Sequence, residues 1–217
     1  MSNTHTQPYP SGRAVNVRML VIMALFSALS GVLMYLDFPL PFFPPFLKLD
    51  FSDLPALLGT FWFGPQAGLA VVLVKNLIHL FVTSTGGVGE LANFIVSAAL
   101  VGTAGLVYRL RRTRGGAVAG LVCGALAMTL AGAAANYYIT LPFYAKIMPM
   151  ETIVAMCARL IPAVQTTWDI VLLSITPFNL FKGALVGGLT FLLYKRVKGL
   201  VPETPKGPRC TPRRGVI

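Results

Sequence analysis

Charged residues are scarce in this 217-residue chain, in which Asp, Glu, Lys and Arg make up 12% and hydrophobic residues 55%. A soluble domain carries roughly twice that charged fraction. A water-facing surface cannot be built from this composition, whereas a lipid bilayer requires it. Together with the mean hydropathy of +0.72, the scarcity of charge predicts an integral membrane protein.

Metal-ligating and catalytic patterns are also lacking. The three cysteines (Cys123, Cys157 and Cys210) and two histidines (His5 and His79) show no CxxC or other metal spacing, so we expect no metal site and no cofactor. The chain contains no GxxxxGK[ST] phosphate loop, HExxH or GxSxG motif. It is therefore expected to have no catalytic residues, not to be an enzyme, and not to use ATP by itself.

The net charge of +11 comes from basic residues that follow apolar stretches in short runs. Aromatic residues are not interleaved with these runs, which argues against nucleic acid as a partner. Basic runs beside apolar segments are instead typical of membrane topology, because they orient helices toward the cytoplasm.

Six apolar segments predict an all-α integral membrane protein, a six-transmembrane-helix bundle. They are residues 19–36, 52–63, 66–82, 91–108, 117–138 and 177–194. The second is short, with Ser52 or Asp53 as cap and Pro55 in its first turn. Residues 139–176, which contain Pro142, Pro149 and Pro162, are predicted to form an external loop with a helical stretch near 153–164.

The distribution of charge predicts the topology. With six spans, most of the 18 Lys and Arg residues lie on the side that holds both ends, and every acidic residue except Glu203 lies on the other. We therefore expect a plasma-membrane protein with a disordered cytoplasmic N-terminus (1–16), a membrane domain (17–198) and a basic, disordered cytoplasmic tail (199–217).

Small residues recur at four-residue spacing in three of the predicted spans. Gly116, Gly120 and Gly124 form one stripe and Gly183 and Gly187 another, which we expect to pack inside the bundle. Ala24 and Ala28 form an AxxxA stripe in the first span. From spacing alone, that stripe is equally consistent with an external interface and with internal packing.

Polar residues within spans indicate a binding site, because an uncompensated lysine at mid-membrane costs about 2.5–3.5 kcal/mol. Lys182 and Asn179 share one helix face. In the six-span topology they converge at the outer leaflet with Asn136, Glu90 and Asn93, and with the loop 48–53. A pocket open to the outside is predicted there, although each group has the alternative role of anchoring a helix end.

Other polar residues favour structural roles. Lys75 is expected to neutralise a neighbouring carboxylate or to extend toward the interface, and His79 to be a packing histidine. Asp37 and Asp53 are expected to be solvated or to cap helices. Tyr138 is a candidate stacking surface, with membrane-interface packing as its alternative.

Several motifs resemble the riboflavin-specific substrate-binding (S) component of energy-coupling factor (ECF) transporters. The resemblance covers residues 17–198. It is carried by FLKLDFSDLP (46–55), KNLIH (75–79), TSTGGVGELANF (83–94), NYY (136–138), PFY (142–144) and PFNLFKG (177–183).

This resemblance implies a six-helix bundle with a vitamin pocket near the extracellular face. Asn136, Asn179 and Lys182 would hold polar atoms of the flavin, and Glu90 and the loop that carries Lys48 and Asp50 would lie near the pocket. Asn93 and Tyr138 complete the expected site. Ala24 and Ala28 match an AxxxA motif that packs on a transmembrane coupling protein, which works with two ATP-binding cassette ATPases. The expected partners are thus riboflavin, that ATP-driven module and membrane lipid.

Other functions remain open from the residues. An S component for another vitamin, such as thiamine, would not purify yellow. A secondary transporter that works alone would use Glu90, His79 or Lys75 as a proton site, but no repeat of one half in the other supports it. A membrane enzyme acting on lipid requires an acid pair that we do not find.

Overall fold

The computed structural model describes residues 17–83 and 85–197. The predicted disordered segments 1–16 and 199–217 lie outside the described residues. The helices are α1 (Val17–Tyr35), α2 (Asp53–Phe63), α3 (Pro65–His79), α4 (Val88–Leu110), α5 (Arg114–Ala135), α6 (Leu141–Tyr144), α7 (Met150–Ala158), α8 (Thr167–Asp169) and α9 (Thr176–Val197).

Five helical stretches are long and apolar enough to cross a membrane. They are Val17–Tyr35, Pro65–Val82, Val88–Leu110, Arg114–Tyr144 and Thr167–Tyr194. The predicted helical membrane fold is confirmed, but the count of six spans is not. The predicted second span is α2, whose 11 residues fall short of the roughly 20 that cross a bilayer as a straight helix.

Residues 139–176 are not one external loop, because helices enter this region from both ends. A π-helical segment, Asn136–Thr140, joins α5 to α6, and a second, Ile170–Ile175, joins α8 to α9. Each precedes a proline at the start of the next helix, Pro142 and Pro177. A proline has no N–H to donate to the preceding turn. The wider π-helical turn tolerates this missing hydrogen bond, so the helix continues past the proline. The predicted helical stretch near 153–164 corresponds to α7.

The proline-dense segment after α1 folds as a short hairpin. Strand β1 (Phe38–Pro39) pairs antiparallel with β2 (Lys48–Leu49). Leu47 and Leu49 anchor this hairpin in an outer hydrophobic cluster with residues of α7 and α9. The loop therefore lies against one end of the helices.

The helices pack mainly as α4 against α5, α5 against α9, and α3 against α2, α4 and α1. The glycine stripes lie in these interfaces, as predicted: a Cβ at Gly120 would be 2.7 Å from the carbonyl oxygen of Ala104, and one at Gly183 2.9 Å from the Cβ of Ala125. Larger side chains would separate the helices. The result is a tight junction of α4, α5 and α9.

Candidate functional site

A cavity of about 150 Å³ opens where α4, the α5–π junction and α9 meet the hairpin loop. We call it the amide cavity, because three asparagines line it: Asn93, Asn136 and Asn179. Lys48 and Lys182 complete its charged and amide lining. The structure thus brings together five of the eight predicted ligand-binding residues.

The asparagine side chains are oriented by their own helices. The Nδ2 groups of Asn136 and Asn179 donate to the carbonyl oxygens four residues earlier, Gly132 at 2.8 Å and Ile175 at 2.9 Å. Each amide oxygen is left as an acceptor. The wall is therefore pre-arranged to receive N–H groups from a ligand.

Gly132 permits Asn179 to reach the cavity. A Cβ at Gly132 would lie 2.6 Å from Nδ2 of Asn179, which is closer than side chains tolerate. Only hydrogen at this position of α5 lets α9 approach with its asparagine in place. Gly132 is not among the predicted site residues, although its four-residue spacing from Asn136 is a usable signal.

Lys182 is buried at the cavity wall beside two carboxylates. Its Nζ donates to Asp50 Oδ2 at 2.5 Å and lies 3.8 Å from Asp53 Oδ2. The backbone N–H and hydroxyl of Ser52 also donate to Asp50. Asp50 therefore lies behind the cavity wall, where it fixes the position of the lysine.

Burial opposes the charged form of Asp50, but the positive charges of Lys182 and Lys75 outweigh it. Hydrogen bonds from Lys182 and Ser52 add to this effect, and the pKa of Asp50 is held below its ordinary value of 3.8. The loop carboxylate is thus ionised at neutral pH, and the Lys182–Asp50 contact is an ion pair.

A second buried pair lies directly behind the first. Lys75 of α3 is fully buried and donates to Asp53 at 2.5 Å, to Ser52 Oγ at 2.7 Å and to Ser97 Oγ at 3.2 Å. Ser97 in turn donates to Asn93 at 3.3 Å. Ser52 links the two ion pairs, because it accepts from Lys75 and donates to Asp50. The network of hydrogen bonds therefore begins at Asn93 and ends at Lys182, and both of these residues line the amide cavity.

Two predictions for this network have different outcomes. Lys75 does neutralise a carboxylate, as expected. Asp53 was expected to be solvated or to cap α2, and this was wrong: it is fully buried in the ion pair with Lys75. Ser52 occupies the N-cap position but makes no capping hydrogen bond; its hydroxyl oxygen accepts from Lys75 instead, and its hydroxyl hydrogen is donated to Asp50.

Glu90 does not line the cavity but fastens the loop beside it. Its carboxylate accepts hydrogen bonds from His79 at 2.9 Å, Thr83 at 2.9 Å and Thr85 at 3.2 Å. These contacts hold the segment between α3 and α4 over the start of α4. Glu90 is thus a loop anchor, and His79 has a structural partner.

Lys48 and Tyr138 lie in contrasting places. Lys48 lines the cavity and its half-exposed side chain pairs with Asp37 at 3.1 Å. Tyr138 is 74% exposed and lies outside the amide cavity. Tyr138 follows Asn136 by two positions in the π-helical segment, so the two side chains point to nearly opposite sides. It is not placed to stack on a ligand there.

The AxxxA stripe of α1 faces outward. Ala24 and Ala28 are exposed, whereas Ser27, Ser30 and Gly31 turn into the bundle. Ser30 donates to the carbonyl oxygen of Ser52 at 2.8 Å. The inner face of α1 therefore contacts the buried network, while its outer face is open to a partner.

Comparisons with known proteins agree on one family. The model of the family described as ECF transporter, substrate-specific component, matches residues 18–194. The chain is 36% identical over 178 residues to the riboflavin transporter RibU of Staphylococcus aureus (strain TCH60), which covers 82% of this chain and 89% of that protein. It is 33% identical over 193 residues to the riboflavin transporter FmnP of Bacillus subtilis (strain 168), covering 87% and 96% respectively.

A solved structure gives the same result. It is described as the S component of a bacterial ECF transporter, and the chain matches it with a TM-score of 0.68 at 34% sequence identity. The match covers 85% of this chain and 97% of that chain. The likeness therefore extends over the helical domain.

Proposed function

The chain belongs to the family of substrate-specific components of ECF transporters, and we propose that it binds riboflavin in the amide cavity for uptake into the cell. One observation carries the choice of site: three asparagines and two lysines from four elements converge on one cavity. Riboflavin is named because the relatives RibU and FmnP are riboflavin transporters. Riboflavin is the transported ligand rather than a cofactor.

The chemistry of the wall suits a flavin. Its ring system is neutral and carries a urea-like edge with one N–H donor and two carbonyl acceptors. The amide oxygens of Asn136 and Asn179 accept from such a donor, and the ammonium of Lys182 donates to such a carbonyl. No carboxylate on riboflavin requires an arginine, and the residues that line the cavity include none.

Riboflavin enters when the hairpin loop lifts. The cavity volume of about 150 Å³ is smaller than the roughly 300–1,000 Å³ of sites that enclose ligands of this size. Phe46, Leu47 and Lys48 form one side of the cavity and belong to this loop. Their displacement widens the site without separating α4, α5 and α9.

The proposed orientation places the amide cavity outside the cell and both ends of the chain in the cytoplasm. The arginines at the α4–α5 turn support it, because basic residues beside spans are retained inside. In this arrangement α2, although about half the usual length of a span, brings the number of membrane helices to six. The hairpin fills the part of the outer leaflet that α2 does not reach.

Transport requires partners in this proposal. The chain has no phosphate-binding loop of its own, so a transmembrane coupling protein and two ATP-binding cassette ATPases supply the energy. The exposed stripe of Ala24 and Ala28 is the proposed contact, since small residues permit close helix approach in lipid. ATP hydrolysis then reorients the loaded subunit and releases riboflavin inside.

Spectroscopy of the purified protein tests the proposal. Riboflavin added to the protein in detergent should quench tryptophan fluorescence with one site per chain, and a loaded sample should show flavin absorption. Thiamine should do neither. Binding of thiamine but not riboflavin would assign another vitamin, and proton-driven uptake by this chain alone in proteoliposomes would establish a secondary transporter.

A further inference from the structure

A second cavity, of about 370 Å³, lies at the other end of α4 from the amide cavity. We call it the arginine cavity, because Arg109 and Arg112 line it. The end of α2 and the start of α3, joined at Gly64, form its other side. On α4, Asn93 lines the amide cavity and Arg109 the arginine cavity; these residues are 16 positions apart, which corresponds to about 24 Å at 1.5 Å per residue.

The arginine cavity is positively charged. Its lining contains Arg109 and Arg112 and no acidic residue. Within residues 17–83 and 85–197, neither guanidinium forms an ion pair with a carboxylate. The first residues of α3, Pro65 and Gln66, also line the cavity, so the positive end of that helix dipole adds to the field.

A buried donor in the wall has no partner. Trp62 lines the cavity, and its indole Nε1 is buried without a hydrogen bond in the described part of the chain. An unpaired buried N–H is costly, by roughly 1–3 kcal/mol. Nε1 has no accessible surface, so the exposed guanidinium groups of Arg109 and Arg112 are the donors that an anion in the cavity meets.

The cavity combines this polar lining with an apolar rim. Met19 of α1 and Phe63 of α2 contribute to the rim. The ring of Phe61 packs on that of Tyr108 at a centroid distance of 4.9 Å. The Tyr108 hydroxyl is 2.6 Å from that of Tyr194 in α9. An occupant with an anionic head and an apolar portion matches these surroundings.

We infer that the arginine cavity binds a phosphate group, carried by an anionic phospholipid headgroup or by a free phosphate. Basic pockets between membrane helices on the cytoplasmic side have the charge and depth to hold such headgroups. Arg109 and Arg112 pair with the phosphate oxygens. The site is independent of riboflavin, since no residue that lines it lines the amide cavity.

The competing role for these arginines is to compensate the C-terminal carbonyls of α4. Arg111 and Arg114 are exposed in the same run but do not line the cavity. They provide a matched control, because their substitution removes the same charge from the same end of the bundle.

Fluorescence quenching in nanodiscs tests the inference. The chain has two tryptophans, so Trp168→Phe leaves Trp62 as the reporter. The discs contain phosphatidylcholine with increasing amounts of phosphatidylglycerol brominated in its acyl chains, and brominated phosphatidylcholine is the control. A third series adds inorganic phosphate to discs of phosphatidylcholine alone.

We expect saturable quenching by the anionic lipid, weakened about tenfold in R109Q/R112Q and unchanged in R111Q/R114Q. Circular dichroism confirms that both variants remain helical. A phosphate-induced change in Trp62 emission that needs Arg109 and Arg112 would identify free phosphate as the source. Equal effects of the two double variants, or quenching that does not depend on lipid charge, would overturn the inference. Loss of riboflavin uptake in R109Q/R112Q with unchanged quenching would also overturn it, because the two arginines would then contact a partner protein rather than a phosphate.

Discussion

At Lys182, two carboxylates stabilise a charge that its apolar surroundings oppose. Removing one partner of a buried ion pair leaves an uncompensated charge and costs about 3–5 kcal/mol, whereas replacing both partners is often neutral. Asp50→Asn should therefore lower the free energy of unfolding more than Asp50→Asn combined with Lys182→Met. Thermal unfolding in detergent measures this difference, and a double variant less stable than Asp50→Asn would contradict the pairing.

The proposed riboflavin site includes the same wall. Asn179→Ala and Lys182→Ala should each weaken riboflavin binding tenfold or more, about 1.4 kcal/mol or above, because each removes a polar contact to the flavin. Thr190→Val is the matched control: Thr190 is buried on α9, and its hydroxyl bonds its own helix at Val186. Fluorescence titration compares the three. Unchanged affinity in both of the first two variants would remove these residues from the site.

The space at Gly132 limits what the site tolerates. Gly132→Ala should weaken riboflavin binding and destabilise the protein by about 1–3 kcal/mol, because the added methyl displaces Asn179. Gly188→Ala is the control, since nothing lies within 4 Å of a Cβ there. Titration and thermal unfolding report both effects, and equal behaviour of the two variants would show that the close approach is unimportant.

At the residue scale, the sequence predicted the polar wall but not the network behind it. Asparagine and lysine inside apolar segments are conspicuous, so Asn136, Asn179 and Lys182 were identifiable. The partner of Lys182 was not, because Asp50 lies 132 positions away in a loop and no local pattern joins them. Glu90 was expected in the site because it falls at the outer end of its span, and Tyr138 as a stacking surface, but loop contacts and the direction of the side chain place them outside the amide cavity.

Among the elements, α1 has two different faces. Its inner face reaches the buried network through Ser30, and Ala24 and Ala28 lie on its outer face. Ala28→Phe should leave riboflavin affinity unchanged but impair ATP-driven uptake and assembly with the energising module, because a large side chain prevents close helix packing.

The control for α1 is Ala119→Phe, at an exposed alanine of α5. It adds the same bulk to the membrane-facing surface and should impair neither binding nor uptake. Uptake by cells and copurification of the module measure the two variants. A loss of riboflavin binding in Ala28→Phe with intact assembly would contradict the assignment of this face.

The hydropathy pattern predicted where the helices lie, but not that two of them continue past a proline. The bounds of α1, α3 and α4 follow the predicted apolar segments closely, because length and composition determine them. The π-helical segments were not predictable: Pro142 and Pro177 indicated helix breaks, whereas a widened turn before each lets the helix continue. Asn136 begins one such segment, so the irregular turn also shapes the cavity.

For the whole molecule, the separation of charge predicts the orientation. The amide cavity and the hairpin lie at one end of α4, and the arginine-rich turn lies at the other. The composition predicted a membrane protein, and the basic runs predicted which end is cytoplasmic. The six-span prediction counts α2 as a span although it is short. The basic residues fall on one side of the membrane only if the α2 segment also crosses it.

The most direct test of this account is labelling of intact cells with a membrane-impermeant maleimide, in a variant whose three native cysteines have been replaced. A cysteine in place of Lys48, at the wall of the amide cavity, should react from outside and be protected by riboflavin but not by thiamine. A cysteine in place of Thr113, in the turn between α4 and α5, should react only after lysis. Labelling of the Thr113 position in intact cells, or reaction at the Lys48 position that riboflavin does not slow, would contradict an outward-facing flavin site.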